Sequence, residues 1–287
     1  MHTIMMKNLK KDKKKFFKQF FHHGVTKLIC AGYSLESSKK ALNIAQQYEN
    51  IYAIVGISPN DIPNEIDETK SNAILNETTK TILIEKTENN LVMEDKEKSF
   101  ENQLAEIEKL AQNKKIVAIG EIGLDYYWNK ENRKWQQETF IRQIELANKL
   151  HLPIVIHTRE AVFDTLDILK NKIAPVKKGI FHCCPLNKDL VREGLKLGFY
   201  ISFAGPVTFK NAKNAEEIVN MVPLDKLLIE TDSPYLAPEP LRGTRNDSRN
   251  VKYIAEKIAK IKGISLEEVA KASFENAEKI FEIRKTC

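Results

Sequence analysis

Four short segments of the chain place a metal-binding or acid–base side chain at the end of an apolar, strand-like run. They are AIGEIGLD with Glu121, IVIHTRE with His157, GIFHCC with His182 and LLIETDSPY with Asp232. All four could form one metal site if their strands end at the same rim of an α/β barrel. A carboxylate with two imidazoles suits Zn²⁺ or Mn²⁺, whereas Mg²⁺ relies more on carboxylate and water. The second carboxylate could hold a second ion or accept a proton from the attacking water.

Each of these side chains also has a purely structural interpretation. A single histidine at a strand end is commonly a hydrogen-bonded rim residue, and Glu121 or Asp232 could cap the helix that follows. The combination favours a metal site, because burying two carboxylates and two imidazoles together without a cation would be costly.

Apolar strand-like runs alternate with helical patterns along the chain. Seven strands are predicted, at residues 27–33, 51–58, 115–123, 152–158, 179–184, 199–205 and 227–232. This alternation predicts an α/β fold with a parallel sheet. A TIM-type (β/α) barrel is favoured over an open doubly wound sheet, because candidate ligands end at least four strands instead of meeting at one switch point. The sequence has no glycine-rich phosphate loop, which argues against nucleotide-cofactor chemistry.

The composition predicts a soluble protein with one large domain. Of its 287 residues, 42% are hydrophobic and 29% are charged, and no apolar run approaches the roughly 20 residues of a membrane span. The N-terminus does not resemble a secretory signal, and the four cysteines, which lack C-x-x-C spacing, are expected to be reduced thiols. We therefore expect a cytoplasmic protein without membrane association. The net charge of +6 permits a polyanionic partner without requiring one.

Two segments lie outside the regular alternation. Before Gly24, lysines interleave with phenylalanines at i, i+4 spacing, which predicts an amphipathic helix; we interpret it as a barrel helix rather than a membrane-surface or nucleic-acid helix. Residues 62–99 are polar and contain two short alternating runs around Glu88–Asn90, which predict a β-hairpin on an insertion. We interpret this insertion as a solvent-exposed excursion, with a lid or substrate arm as the alternative.

The residues around the candidate ligands also carry a family resemblance. GEIGLDYYW at 120–128, the helix and strand leading to IVIHTREA, FHCC at 181–184 and LLIETDSPYLAPEPLRGTRN from 227 onward resemble the TatD family of metal-dependent deoxyribonucleases, which are amidohydrolase-type TIM barrels. The resemblance extends from about Gly24 to the C-terminus, and the motifs agree in order, spacing and flanking residues.

The resemblance implies a role for each candidate ligand. In the family, the residue matching Glu121 bridges two metal ions, and those matching His157 and His182 bind one of them. The residue matching Asp232 binds the other ion and is suited to act as base on the attacking water. The implied reaction is hydrolysis of phosphodiester bonds in DNA, usually 3′–5′ trimming of single strands. It would use one or two divalent ions, Mg, Mn or Zn, to supply the nucleophile and stabilise phosphoryl charge.

Other side chains beside these motifs are candidates for substrate binding. Arg159 and Arg242 could bind phosphate, or each could pair with a neighbouring carboxylate. Tyr126, Tyr127 and Trp128 could stack a base at the rim, or they could pack under a loop.

The sequence departs from the family at its start and in three further motifs, which are GISPND at 56–61, FHCCPL at 181–186 and RNDS at 245–248. Where the family's first strand ends in His-x-His, this chain offers His2, at about the position of the second histidine. The family's GIHPHD is GISPND here, so Ser58 and Asn60 stand where imidazoles would line the substrate site. We expect the first strand to be missing or truncated, leaving an open seam that Met1–Met6 could partly fill. Either one metal position and much of the activity were lost, or the sequence starts a few residues late.

Three functions remain open on the sequence. The favoured one is a metal-dependent deoxyribonuclease acting on single-stranded DNA or 3′ ends. A second is a catalytically impaired barrel that binds nucleic acid or a protein partner. The third is a barrel hydrolase of a small amide or ester, which the same ligand set would serve.

Overall fold

Eight parallel strands form one sheet in which every strand pairs with the next along the sequence. The computed structural model describes the backbone of residues 2–5, 25–63 and 81–283, and the side chains of residues 25–63 and 95–283. The strands are β1 His2–Met5, β2 Leu28–Ala31, β3 Ile51–Val55, β4 Ile116–Asp125, β5 Ile154–Arg159, β6 Ile180–Phe181, β7 Tyr200–Phe203 and β8 Leu227–Ile229. The predicted TIM-type fold is confirmed, and β2 to β8 are the seven strands that the alternation predicts.

Helices follow most of the strands and cover the outside of the sheet. They are α1 Leu35–Gln47, α2 Thr81–Ala111, α3 Arg133–Leu150, α4 Val162–Asp167, α5 Lys188–Lys196, α6 Ala215–Met221, α7 Val251–Lys262 and α8 Leu266–Ile280. Ser34 and Ser265 each begin a helix with a capping box, which satisfies backbone N–H groups of the first turn. None of the helices in the described part of the chain combines the length and the apolarity that a membrane crossing requires.

Alternation along the strands separates two apolar clusters and decides which side chains reach the site. On β5, Val155 belongs to the inner cluster, whereas its neighbours Ile154 and Ile156 belong to the larger cluster that packs against the helices. The inner cluster also contains Ile180 of β6 and Leu228 of β8. Because side chains alternate with a period of two, the next inward positions on these three strands are His157, His182 and Glu230. The barrel interior therefore changes from apolar to ionisable towards the carboxyl ends of the strands.

The hairpin predicted within residues 62–99 is wrong where the structure describes that insertion. Residues 81–111 form the long helix α2, and residues 64–80 lie outside the described part. The buried side chains explain the difference, because Phe100, Leu104, Ile107 and Ala111 recur at helical spacing and pack into the core. Arg142 of α3 further ties α2 down by ion pairs with two of its glutamates. The part of the insertion described from residue 81 onward is thus helical rather than a hairpin. Of its described side chains, Lys96 is buried and the others at 95–99 are exposed, and the interpretation as a solvent-exposed excursion stays a prediction.

The first strand is short and lies in the seam where a strand was expected to be missing or truncated. The four residues of β1 pair with β2 in parallel, with His2 opposite Leu28 and Met5 opposite Ala31. The prediction that Met1–Met6 partly fills the gap is confirmed for residues 2–5. No pairing joins β8 to β1 among the described strands, so the sheet stays open there. The amphipathic helix predicted before Gly24 lies outside the described residues.

Candidate metal centre

Three of the predicted ligands meet at the carboxyl rim of the barrel. Glu121 lies within β4, His182 follows β6 directly, and Asp232 follows β8 by three residues. One ligand atom from each of the three lies within 4.8 Å of the other two. All three side chains are buried, with exposed fractions of 1%, 4% and 7% in that order. Strands far apart in sequence thus converge on one buried, ionisable cluster, as expected at a barrel rim.

The cluster contains polar atoms that the protein itself leaves unsatisfied. Glu121 Oε1, His182 Nε2 and Asp232 Oδ1 are buried without a hydrogen-bond partner, and they make up three of the four such atoms in the described part of the chain. A buried polar group without a partner costs about 1–3 kcal/mol, and more if it is charged. Two carboxylates and an imidazole are ordinary ligands of Zn²⁺ and of other divalent ions. The residues present therefore fit a divalent cation, which would be coordinated by all three unpartnered atoms at once.

Glu230 holds His182 in the orientation that such a cation needs. Its Oε2 lies 3.3 Å from His182 Nδ1, and its Oε1 accepts a 2.5 Å hydrogen bond from the Cys183 backbone N–H. With Nδ1 occupied in this way, Nε2 of the same ring points at Glu121, whose Oε2 is 3.7 Å away. Carboxylate–histidine pairs of this kind fix the tautomer of metal-binding histidines. Sequence analysis missed Glu230, although its position two residues after the inward-facing Leu228 was the available signal.

Charges within the cluster shift the pKa values of its members strongly. Burial raises the pKa of the Asp232 carboxyl to about 8 despite the nearby His182 ring, and the charges of Glu121 and Glu230 act in the same direction. Burial alone would lower the pKa of His182, but Glu121 and Glu230 raise it to about 10. Burial likewise raises the pKa of Glu121 against the attraction of the two histidines. Without a cation, the cluster therefore holds protons that a divalent ion would displace.

A second aspartate, Asp125 at the end of β4, organises a separate hydrogen-bonded cluster beside the first. Its Oδ2 lies 3.0 Å from His157 Nε2 and accepts a hydrogen bond of 3.1 Å from Asn60 Nδ2. Its Oδ1 accepts from the backbone N–H groups of Tyr127 and Trp128, at 3.0 and 3.1 Å. Burial would raise the pKa of Asp125, but hydrogen bonds from His157 and Asn60 outweigh it and lower the pKa to about 2. Asp125 is therefore a fully partnered anion.

His157 lies beside the metal cluster with its Nε2 turned away from it. The ring centroids of His157 and His182 are 5.7 Å apart, yet His157 Nε2 faces Asp125. Its assignment as a metal ligand stays a prediction.

Ser58, expected to line the substrate site, is buried and donates a 2.7 Å hydrogen bond to Asp61.

Backbone conformation also concentrates strain at this rim. Asp232 has φ of 54° and Cys183 has φ of 38°, both in the left-handed region that side chains other than glycine rarely adopt. Gly123 has φ of 137°, and a Cβ there would come within 2.0 Å of the His157 carbonyl oxygen. Glycine is therefore required at position 123 for β4 to pass close to β5.

The predicted substrate-binding arginines each lie on an aromatic ring at the rim. The Arg159 guanidinium lies 3.8 Å from the centroid of Tyr127, and that of Arg242 lies 4.2 Å from the centroid of Phe209. Among the ion pairs of the described residues, neither arginine contacts a carboxylate. Tyr126 is buried and donates a hydrogen bond to Asp164, which fits the packing alternative for this tyrosine.

The register of β1 places His2 far below the rim. His2 is level with Leu28 at the start of β2, whereas the Glu121 backbone N–H bonds to the carbonyl of Gly32, just past the end of β2. Four strand residues separate these levels, a rise of roughly 13 Å. This register gives no support to His2 as a metal ligand, and its side chain lies outside the described part of the structure.

Comparisons with known proteins agree with this architecture and site. The family described as TatD related DNase matches residues 1–282. YabD of Bacillus subtilis, named an uncharacterized metal-dependent hydrolase, is 40% identical over 259 residues, which cover 90% of this chain and 88% of that protein. YcfH of Escherichia coli, which bears the same description, is 43% identical over 178 residues, covering 62% of this chain and 67% of its own.

Solved structures share the fold at low sequence identity. YJJV, a TatD homolog from Escherichia coli, superposes with a TM-score of 0.76 at 21% identity, and the match covers 99% of this chain and 98% of that one. An uncharacterized amidohydrolase from Saccharomyces cerevisiae gives a TM-score of 0.73 at 16% identity, covering 97% and 99%. At these identities the likeness establishes the fold alone.

Proposed function

We propose that this chain, which belongs to the TatD family of metal-dependent hydrolases, cleaves phosphodiester bonds in DNA and trims single strands from the 3′ end. The observation that carries the proposal is the convergence of three buried, unpartnered ligand atoms from Glu121, His182 and Asp232. The family's description as TatD related DNase supports the choice of DNA as substrate. Two exposed arginines at the same rim supply groups that bind phosphate.

The residues of the cluster divide the work of binding and proton transfer. Glu121, His182 and Asp232 would hold one divalent cation, Mg, Mn or Zn, with His157 beside them as a further ligand. A cation bound there supplies Lewis-acid chemistry that activates water and neutralises charge on phosphoryl oxygens. Asp232 is suited to accept the proton of the attacking water, because its carboxylate lies within the cluster where the ion and its water would be held. Glu230 keeps His182 oriented throughout.

Side chains around the cluster would position the substrate. Each guanidinium is stacked on an aromatic face, which leaves its in-plane N–H groups available for phosphate oxygens. Arg159 follows His157 on β5, and Arg242 follows Asp232 in the segment after β8. We place successive phosphates of the strand at these two arginines. Asn60, tied to Asp125, is placed at the edge of the same substrate site.

A metal-supplemented nuclease assay tests this function. Purified protein is incubated with Mg²⁺, Mn²⁺ or Zn²⁺ and a single-stranded oligonucleotide labelled at its 5′ end, and the product ladder is compared with that of Glu121→Gln. We expect stepwise shortening from the 3′ end in the wild type and none in the variant. Glu131→Ala, which removes an exposed glutamate outside the cluster, serves as the matched control. If no metal supports release above the Glu121→Gln background, the nuclease proposal is wrong.

Metal analysis of the same preparations separates the alternatives. One equivalent of bound metal with no DNA cleavage would favour a hydrolase of another substrate. No bound metal in protein supplied with all three ions would favour a binding-only barrel.

A further inference from the structure

Exposed apolar side chains are concentrated at the rim that carries the metal cluster. Six large hydrophobic side chains are exposed in the part of the chain whose side chains are described, and five of them follow the carboxyl ends of β4, β5 and β8. These five are Tyr127, Trp128, Phe163, Tyr235 and Leu236. Clustered exposed apolar surface next to a polar site marks a binding surface rather than a random feature of the exterior.

Tyr127 and Trp128 form the most exposed aromatic pair of this group. Their exposed fractions are 44% and 68%, and their rings meet edge to face with centroids 4.8 Å apart. The Arg159 guanidinium lies 3.8 Å from the Tyr127 centroid and 5.4 Å from that of Trp128. Exposed aromatic rings beside a cation match the two parts of a nucleotide, because bases stack on aromatic rings and guanidinium groups bind phosphate.

Hydrogen bonds join the pair to His157, whose ring centroid lies 5.7 Å from that of His182 in the metal cluster. Asp125 receives both backbone N–H groups of the pair on Oδ1 while its Oδ2 contacts His157. The Tyr126 backbone N–H donates to the Arg159 carbonyl at 2.9 Å, so the arginine and the aromatic turn are also joined through the backbone. The aromatic turn is therefore connected, through Asp125 and His157, to the neighbourhood of the metal cluster.

We infer that Tyr127, Trp128 and Arg159 form a stacking subsite for an unpaired nucleobase of the DNA strand whose 3′ end lies at the metal cluster. This inference rests on the proposed function and deepens it, because it explains why the substrate must be single-stranded. A base in a duplex is already stacked and paired, so its face is closed to the protein. The subsite accepts any of the four bases, since each has a π-face and the protein offers stacking rather than hydrogen-bond readout.

Tryptophan fluorescence gives a direct readout of this subsite. The chain has two tryptophans, and Trp135 is buried against Phe100, so quenching by a stacked base reports on Trp128. The probe is a thymidine oligonucleotide of about 12 nucleotides with phosphorothioate linkages at its 3′ end, which binds without being cut. We expect quenching on titration with this single strand and none with the same strand in a blunt duplex. Equal quenching by the duplex, or no quenching with the single strand bound, would overturn the inference.

Paired substitutions assign the affinity to the aromatic faces. Because these variants lack Trp128, binding is followed by the fluorescence anisotropy of a dye-labelled probe. We expect the double variant Tyr127→Ala/Trp128→Ala to bind this probe about tenfold more weakly, or worse. Tyr127→Phe/Trp128→Phe should bind like the wild type, because stacking needs only the rings. Val176→Ala changes an exposed apolar residue that precedes β6, at the opposite end of the barrel, and should have no effect. Unchanged circular dichroism and metal content show that each variant is folded.

Abasic probes locate the base and separate this inference from the proposed function. Removing one base at a time near the 3′ end should weaken wild-type binding about tenfold at one position and should have little effect on the alanine variant at that position. The same loss in both proteins would overturn the subsite. Binding through the subsite without release of nucleotides from an unmodified strand would refute the nuclease and leave the subsite standing. Release of nucleotides that the alanine substitutions leave unchanged would overturn the subsite and leave the nuclease proposal standing.

Discussion

Two buried aspartates at the same rim differ in almost every physical respect. Asp232 leaves Oδ1 without a partner among the described residues, whereas Asp125 receives hydrogen bonds on both oxygens. The pKa of Asp232 is raised to about 8, and that of Asp125 is lowered to about 2. Both side chains are nearly inaccessible, with exposed fractions of 7% and 1%. Solvent exposure therefore does not distinguish the two carboxylates, whereas the hydrogen-bond donors around Asp125 do.

The two histidines of the rim repeat this contrast. His182 has its Nδ1 against Glu230 and leaves Nε2 unpartnered, whereas Nε2 of His157 is already against Asp125. A buried polar atom without a hydrogen-bond partner costs free energy of folding, so such an atom is expected where a bound ligand supplies the missing partner. A buried polar atom that is already hydrogen-bonded gives no such indication. The unpartnered atoms distinguish the metal cluster from the Asp125 cluster, which residue type does not, because both clusters contain an aspartate and a histidine.

The largest expected effect comes from making the same substitution in both aspartates. Asp232→Asn removes a ligand and the proposed proton acceptor, so we expect DNA cleavage to fall by more than about 100-fold, with loss of bound metal. Asp125→Asn changes only the support of His157 and of the aromatic turn, so cleavage should fall by about tenfold with the metal retained. Metal content and cleavage rate are measured on the same samples. Complete loss of metal in Asp125→Asn would mean that metal binding depends on Asp125 as strongly as on Asp232.

Glu230→Gln tests whether the orientation of His182 matters. The amide is neutral and can present an NH₂ group to Nδ1, so the tautomer with Nε2 free for metal is no longer enforced. We expect the metal dissociation constant to rise by about 10-fold to 100-fold, measured by titration of chelator-treated protein. The maximum cleavage rate at saturating metal should change much less than the metal affinity. A variant that binds metal as tightly as the wild type would limit Glu230 to a packing role.

The sequence predicted the fold because the relevant signals are local. Apolar runs that alternate with helical patterns predicted β2 to β8, and the four runs that end in candidate ligands place them at one rim of a parallel barrel. The hairpin prediction failed because short alternating runs around Glu88–Asn90 resemble strands, whereas Phe100 and Ile107 carry the helical spacing that determines α2. Packing of these side chains against the core favours the helix over the hairpin.

The site was less predictable than the fold, for reasons that are also physical. Glu121, His182 and Asp232 could be found from their motifs, yet which nitrogen of a histidine is occupied depends on partners far away in sequence. Asp125 takes Nε2 of His157 and Glu230 takes Nδ1 of His182, and neither pairing follows from residue spacing. The family resemblance supplied the candidate ligands, but not the division into one cluster with unpartnered atoms and one without.

The smallest expected effect is on the free energy of unfolding, which should depend on pH only in metal-free protein. In the folded state the pKa of His182 is raised to about 10 and that of Asp232 to about 8, both above their ordinary values of 6.5 and 3.8. Between about pH 6.5 and 8 the folded protein therefore binds more protons than the unfolded chain, and its stability falls as the pH rises. The contribution of His182 is complete below about pH 6.5 and is lost as the pH passes about 10.

Thermal unfolding of chelator-treated protein measures this fall. We expect the melting temperature to drop by about 4 °C between pH 6.5 and pH 8. Saturating divalent metal should abolish the drop, because the cation displaces the extra protons. Asp232→Asn should reduce it, whereas Asp125→Asn should leave it unchanged, since the pKa of Asp125 is lowered to about 2 and this carboxyl does not titrate in this range. A drop of the same size in Asp232→Asn would mean that the protons are held elsewhere, and the contrast between the two aspartates would then lose its electrostatic basis.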